Sequence, residues 1–145
     1  MNWNAYHFVS DTLRDGQAVP ANGVTLKHSG LLVLCRNGFH ASEKVWQALN
    51  YAPGEILCRV NCSGEIIRAS DKLVCSERTI ISRIDAAPLL RLYARQCALD
   101  VIHLWDAPQV VVDYLNTGDE TLRDAARAAA RDAARDAARD AAWDA

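Results

Sequence analysis

The 145 residues suffice for one domain with a single core, and the half that is hydrophobic overstates that core because twelve of the last twenty-one are alanine. A formal charge of −2, with the terminal arginines matched almost one for one by aspartates, argues against nucleic-acid binding through bulk charge. Five cysteines, an odd number, with neither a charged-then-apolar leader nor an apolar stretch of ~20 residues, argue against a secreted disulfide framework and a membrane span, and point to a reduced cytosolic protein.

Along the chain, Tyr6-His7-Phe8-Val9 reads as a first strand and Val24-Thr25-Leu26 as a short second one. The apolar run at 31–35 has strand length, and Asn37-Gly38 breaks it. Ser42 suits an N-cap with Glu43 in the first turn, so a helix is expected to carry Val45, Trp46 and Leu49 inward and to stop before Pro53-Gly54. Residues 55–61 alternate with period two, a strand; Ser63-Gly64 reads as a turn and 65–68 as its antiparallel return. Leu73-Val74-Cys75 and Thr79-Ile80-Ile81 add one or two strands, with Asp71-Lys72 as a surface turn.

After Asp85 the period changes. Asp85 and Pro88 favour a helix start, Pro108 opens a second helix with Val111, Val112 and Leu115 inward, and Thr117-Gly118-Asp119-Glu120 has the capping-box form. From Arg123 the chain repeats Arg-Asp-Ala-Ala, with a substitution at Ala128, a composition of high helix propensity. Four steps of about 100° overshoot a turn by about 40°, so no stripe holds a fixed seam and the repeat is not a coiled coil. The expected layout is α+β: a small, mainly antiparallel sheet with one short helix, then a helical part and a long Ala-rich helix. The division expected is a compact domain over 1–116, helical from about 86, and an exposed helix over 117–145.

The segment Cys35-Arg36-Asn37-Gly38-Phe39-His40-Ala41-Ser42 holds the most pointed chemistry. It sets an imidazole and a hydroxyl at a Gly-containing turn, where His40 can serve as base or hydrogen-bond donor, or can cap the helix start together with Ser42. Cys58 and Cys62, and Cys35 and His40, lack the spacing of a zinc pair, so no metal is expected. His28 and His103 carry no motif. Phe39, His40, Trp46 and Trp143 are the candidate binding residues.

Two resemblances attach to these residues. The motif Cys35-x-x-Gly38-Phe39-His40-Ala41-Ser42, with Tyr6-x-Phe8, Tyr51-x-Pro53, Gly64-x-Ile66 and Asp71-Lys72, resembles a family of uncharacterised bacteriophage and prophage domains, many of which continue into low-complexity repeats. That resemblance implies a phage setting in the cytoplasm of a bacterial host and no particular activity. His7 on a first strand, with Phe39-His40-Ala41-Ser42 and Tyr51-Ala52-Pro53-Gly54, also looks like the core of ADP-ribosyltransferases, which implies NAD as the bound molecule. It departs from those enzymes in having His40 where they usually carry Tyr and Glu77 as its sole candidate carboxylate. The leading expectation is therefore a non-enzymatic binder of a bacterial host protein or other macromolecule, an anti-defence or host-takeover factor. A transferase using His7, His40, Ser42, Tyr51 and Glu77 is the alternative, and a virion structural component a second.

Overall fold

The computed structural model describes residues 3–143, which fall into two compact units, one within 1–87 and the other within 88–145. The first contains strands β1 (Trp3–Val9), β2 (Thr25–Lys27) and β3 (Phe39–Ala41), helix α1 (Val45–Leu49), and strands β4 (Ile56–Arg68) and β5 (Leu73–Asp85). Its described residues make one antiparallel sheet in the order β1-β4-β5-β2, with β3 also paired to β5. The second is helical: α2 (Ala87–Asp100), α3 (Gln109–Thr117) and α4 (Arg123–Trp143), with single 3₁₀ turns at Ile102–Leu104 and Glu120–Leu122. An antiparallel sheet followed by helices is the α+β layout its period change foretells.

The period-two pattern of β4 sets the core of the first unit. Cys58, Val60 and Cys62 are buried on one face and meet Ala5 and Val9 of β1, Ala41 of β3, and Leu73, Cys75 and Ile80 of β5. Asp85 caps α2 through its carboxylate, which accepts from the Ala87 amide at 2.9 Å.

Several local expectations give way to tertiary context. The apolar run at 31–35 is not a strand: Leu32 is buried, Leu31 is 77% exposed, and the chain turns back so that Val33 pairs with Asn37. No neighbouring strand offers that run a ladder, and without one apolarity does not make a strand. Ser63-Gly64 is not the hairpin turn. Gly64, at φ +74°, sits in an irregularity between Ser63 and Ile66, β4 runs on through it, and the chain reverses at 69–72. Ser42 does not cap α1; its backbone exchanges hydrogen bonds with Tyr6 at 2.8 and 2.9 Å, and Lys44 takes the N-cap position without a side-chain bond. Trp46 is 65% exposed, and Ala48 is the buried residue of α1. Glu43 is spent on an ion pair with Arg68.

In the second unit, Thr117 ends α3 instead of opening the terminal helix, and its hydroxyl donates to the Asp113 carbonyl at 2.7 Å. Asp119 takes over the cap, accepting from the amide and hydroxyl of Thr121. Helix α3 packs on α4, with Val111 and Ala126 as their buried residues, so the helical stretch after 88 groups with the terminal helix. Beyond Ala133 the residues of α4 are exposed, and Asp132–Arg135 and Asp136–Arg139 form ion pairs at 3.4 and 3.6 Å. Pairs this exposed contribute little to stability, so propensity carries that end of the helix.

Candidate binding cleft

A cleft of about 830 Å³ opens in the first unit between β1, β3, the turn before it and the rim formed by Tyr51 and Lys72. Strand register explains why chemistry collects there. His7 stands opposite Cys58, and Arg78 stands opposite Cys62. Cys58 and Cys62 lie on the same buried face of β4, so His7 and Arg78 share that face as well. Phe39, opposite Cys75 on β3, brings its ring against the Arg78 guanidinium at 5.4 Å.

Arg78 is the unusual member. It is 5% exposed, its Nη1 donates to the His40 carbonyl at 2.6 Å, and its Nε has no partner. Among the described residues no carboxylate lies within ion-pair distance of it. Its nearest ionisable neighbours are the thiols of Cys58, Cys62 and Cys75. Burial pushes Cys58 up, and a hydrogen bond with Cys75 and then burial push Cys62 up, whereas that same bond from Cys62 holds Cys75 below its ordinary value; the Cys75 sulfur also lies 3.4 Å from the Phe39 carbonyl. Burial accordingly lowers the Arg78 pKa below its ordinary value. A buried guanidinium without a counter-charge is costly, on the order of several kcal/mol, and is uncommon unless a ligand completes it.

Burial and then Arg78 hold both the His7 and the His40 imidazoles below the ordinary histidine value. Burial first, then Arg78, then His40 bring His7 down to about 3, and no hydrogen bond from a described residue reaches its ring. His40 is also lowered, first by burial and then by Arg78. Its Nε2 accepts from the Cys35 amide at 2.8 Å, so that nitrogen is the unprotonated one. This contact holds the tight turn in which Cys35 adopts φ +66°, and it occupies the lone pair a general base would need. His28 adds an edge-to-face contact with Phe39 at 6.4 Å between centroids, and its Nε2 is buried without a partner.

Tyr51 is fixed at the rim. Its hydroxyl donates to the Asp71 carboxylate and accepts from Lys72 Nζ at 3.0 Å, while the ammonium lies 4.3 Å from the ring centroid. The Tyr51 hydroxyl first, and then Cys35, hold the Lys72 ammonium above its ordinary value. The Asp71-Lys72 turn thus positions a cleft residue.

Of the candidate residues read from sequence, His7, Phe39, His40, Ser42 and Tyr51 line this cleft. Glu77 does not. One step along β5 from Arg78, it occupies the opposite face, paired with Lys27 at 2.9 Å and accepting from Ser63 at 3.2 Å. Lys27 and then Ser63 hold its carboxyl below the ordinary range. Trp46 lies outside the cleft beneath the Lys44 ammonium, and Trp143, 91% exposed, belongs to the second unit. Among the described residues no three His, Cys, Asp or Glu side chains cluster as a metal site. The sequence reading missed Arg78, Lys72 and Arg14. Arg78 carried a signal, because alternation back from Ile80 places a cation at an inward position of the strand.

Residues 3–92 match a family described as a domain of unknown function, DUF7666. The matched stretch holds the whole sheet and every residue of the cleft. No curated protein and no solved structure matches the chain. Because that match takes in more than half of the chain, the protein belongs to the DUF7666 family of uncharacterised domains.

Proposed function

We propose that the first unit is the binding module of a phage- or prophage-encoded protein and that its cleft grips part of a bacterial host macromolecule, in the manner of an anti-defence or host-takeover factor. The phage setting rests on the resemblance of the Cys35-to-Ser42 motif and the repetitive tail. The binding role rests on one observation: aromatic, imidazole and guanidinium groups converge on a cleft whose buried Arg78 pairs with no carboxylate among the described residues, while Glu77 faces away. Cleft lining that mixes apolar surface with a few convergent polar groups is the usual form of a recognition site. The test is photo-crosslinking inside infected or lysogenic host cells, from a benzophenone side chain at Tyr51. One discrete host species, lost when Arg14→Glu with Arg36→Glu reverses the charge of the exposed cleft lining, supports the reading; crosslinks indifferent to those substitutions contradict it.

A second reading, ADP-ribosyl transfer, is favoured by the convergence of His7, His40, Ser42 and Tyr51 on the same cleft. In that reading NAD lies against Arg78, and the ribose is polarised by a group other than Glu77. Release of nicotinamide from NAD, absent in His7→Ala, supports it, and no release over hours at millimolar NAD contradicts it.

A further inference from the structure

We infer that Arg78 anchors an oxyanion subsite in the floor of the cleft and that the group it takes is multivalent, of the phosphoryl class. The inference deepens the binding reading above, in that it names the chemistry the cleft recognises, and it holds whichever molecule carries that group.

The first support is the orphaned guanidinium. Arg78 lines the cleft, is 5% exposed, spends Nη1 on the His40 carbonyl, and leaves Nε unbonded. An arginine fork satisfies oxyanions in pairs of parallel N–H bonds, and a charge-assisted bond is about twice as strong as a neutral one. The second support is the charge of the lining. Arg14, Arg36, Lys72 and Arg78 face one carboxylate, Asp15, and that carboxylate already accepts from the Gln17 amide at 3.1 Å. Leaving the imidazoles uncharged, this is a formal excess of three positive charges, more than a single carboxylate offsets. The third is His7, whose ring receives no hydrogen bond from a described residue and whose neutral form offers one N–H to a ligand oxygen. The same lining carries the aromatic rings of Tyr6, Phe39 and Tyr51, so the phosphoryl group is expected to be borne on a larger, partly apolar molecule.

The experiment is calorimetric titration of the full chain with pyrophosphate, inorganic phosphate and acetate at matched ionic strength. Pyrophosphate is expected to bind saturably and more tightly than phosphate, and acetate not to saturate. Arg78→Met is expected to weaken pyrophosphate about 10- to 100-fold, and Arg131→Ala on the exposed part of α4 to leave it unchanged. Should Arg78→Met fail to fold by hydrogen exchange, the cleft-lining pair Arg14→Ala and Lys72→Ala is expected to lower affinity about tenfold instead. Absence of saturable pyrophosphate binding up to ~10 mM overturns the inference, as do wild-type affinity in the variants and acetate competing as well as pyrophosphate. Host crosslinking from Tyr51 that persists without pyrophosphate binding removes the oxyanion subsite alone; pyrophosphate binding without crosslinking removes the host-macromolecule reading alone.

Discussion

Gly38 joins the 33–37 turn to β3 at the edge of the cleft, and replacing it with alanine tests whether that edge is built as described. At φ +101° a side chain is strained wherever it points, which costs about 1–2 kcal/mol. The added methyl carbon would lie 2.6 Å from Val74 Cγ2, 2.7 Å from Leu32 Cδ2 and 3.2 Å from the Cys75 carbonyl. Carbon atoms prefer about 3.5–4.0 Å, so both side chains must retreat by roughly 1 Å. Neither has room: Val74 and Leu32 are buried, and a β-branched side chain on a strand has few other rotamers. Overpacking of this kind costs about 1–3 kcal/mol, giving about 2–5 kcal/mol in all for Gly38→Ala. Gly23→Ala is the control, since its backbone also has positive φ but its added carbon meets nothing within 4 Å. It is expected to cost only the backbone strain, about 1 kcal/mol. Urea titration read by amide exchange in β5 reports on the first unit specifically. A Gly38→Ala variant within about 0.5 kcal/mol of wild type, or no worse than Gly23→Ala, would refute the packing of the turn on β5.

Three further outcomes follow from the same structure. His7 has a folded pKa of about 3, below the usual value near 6.5, so the unfolded chain binds a proton that the folded one refuses between those limits. Stability of the first unit is therefore expected to fall as pH drops from about 6.5 toward 3, and His7→Asn to flatten part of that slope in urea titrations; an unchanged slope contradicts the burial of the ring. Arg78→Met is expected to leave the first unit as stable as wild type or up to about 2 kcal/mol more stable, measured the same way, because an uncompensated buried charge is exchanged for an apolar side chain. A loss beyond about 2 kcal/mol would show that the bond to the His40 carbonyl and the Phe39 contact hold the fold. Ala126→Arg is expected to cost about 1–3 kcal/mol and to strip exchange protection from α3, since Ala126 is the buried residue of α4; retained protection in α3 would contradict their packing.

What the sequence disclosed and what it withheld follow from where the determining forces lie. The alternation at Cys58, Val60 and Cys62 is local, and it placed β4 and its buried face correctly. The change of period after Asp85 was equally local and announced the helices. The run at 31–35 misled because strand formation depends on a neighbour that accepts its hydrogen bonds, which composition cannot reveal. Gly64 misled because a glycine with positive φ serves a bulge as readily as a turn. The motif around His40 lines the cleft, yet His40 spends its lone pair on the Cys35 amide. Arg78 lies thirty-eight positions further on and comes under the His40 carbonyl through the pairing of β3 with β5. Glu77 and Arg78 are adjacent in sequence and opposite in role because successive residues of a strand face opposite ways.

The most direct test of the binding cleft is the side-chain nitrogen spectrum of the full chain as pyrophosphate is added. Saturable shifts of the Arg78 guanidinium and the His7 imidazole, with the arginines of α4 unmoved, are the predicted result. Shifts confined to the arginines of α4, or none at Arg78, would contradict the account.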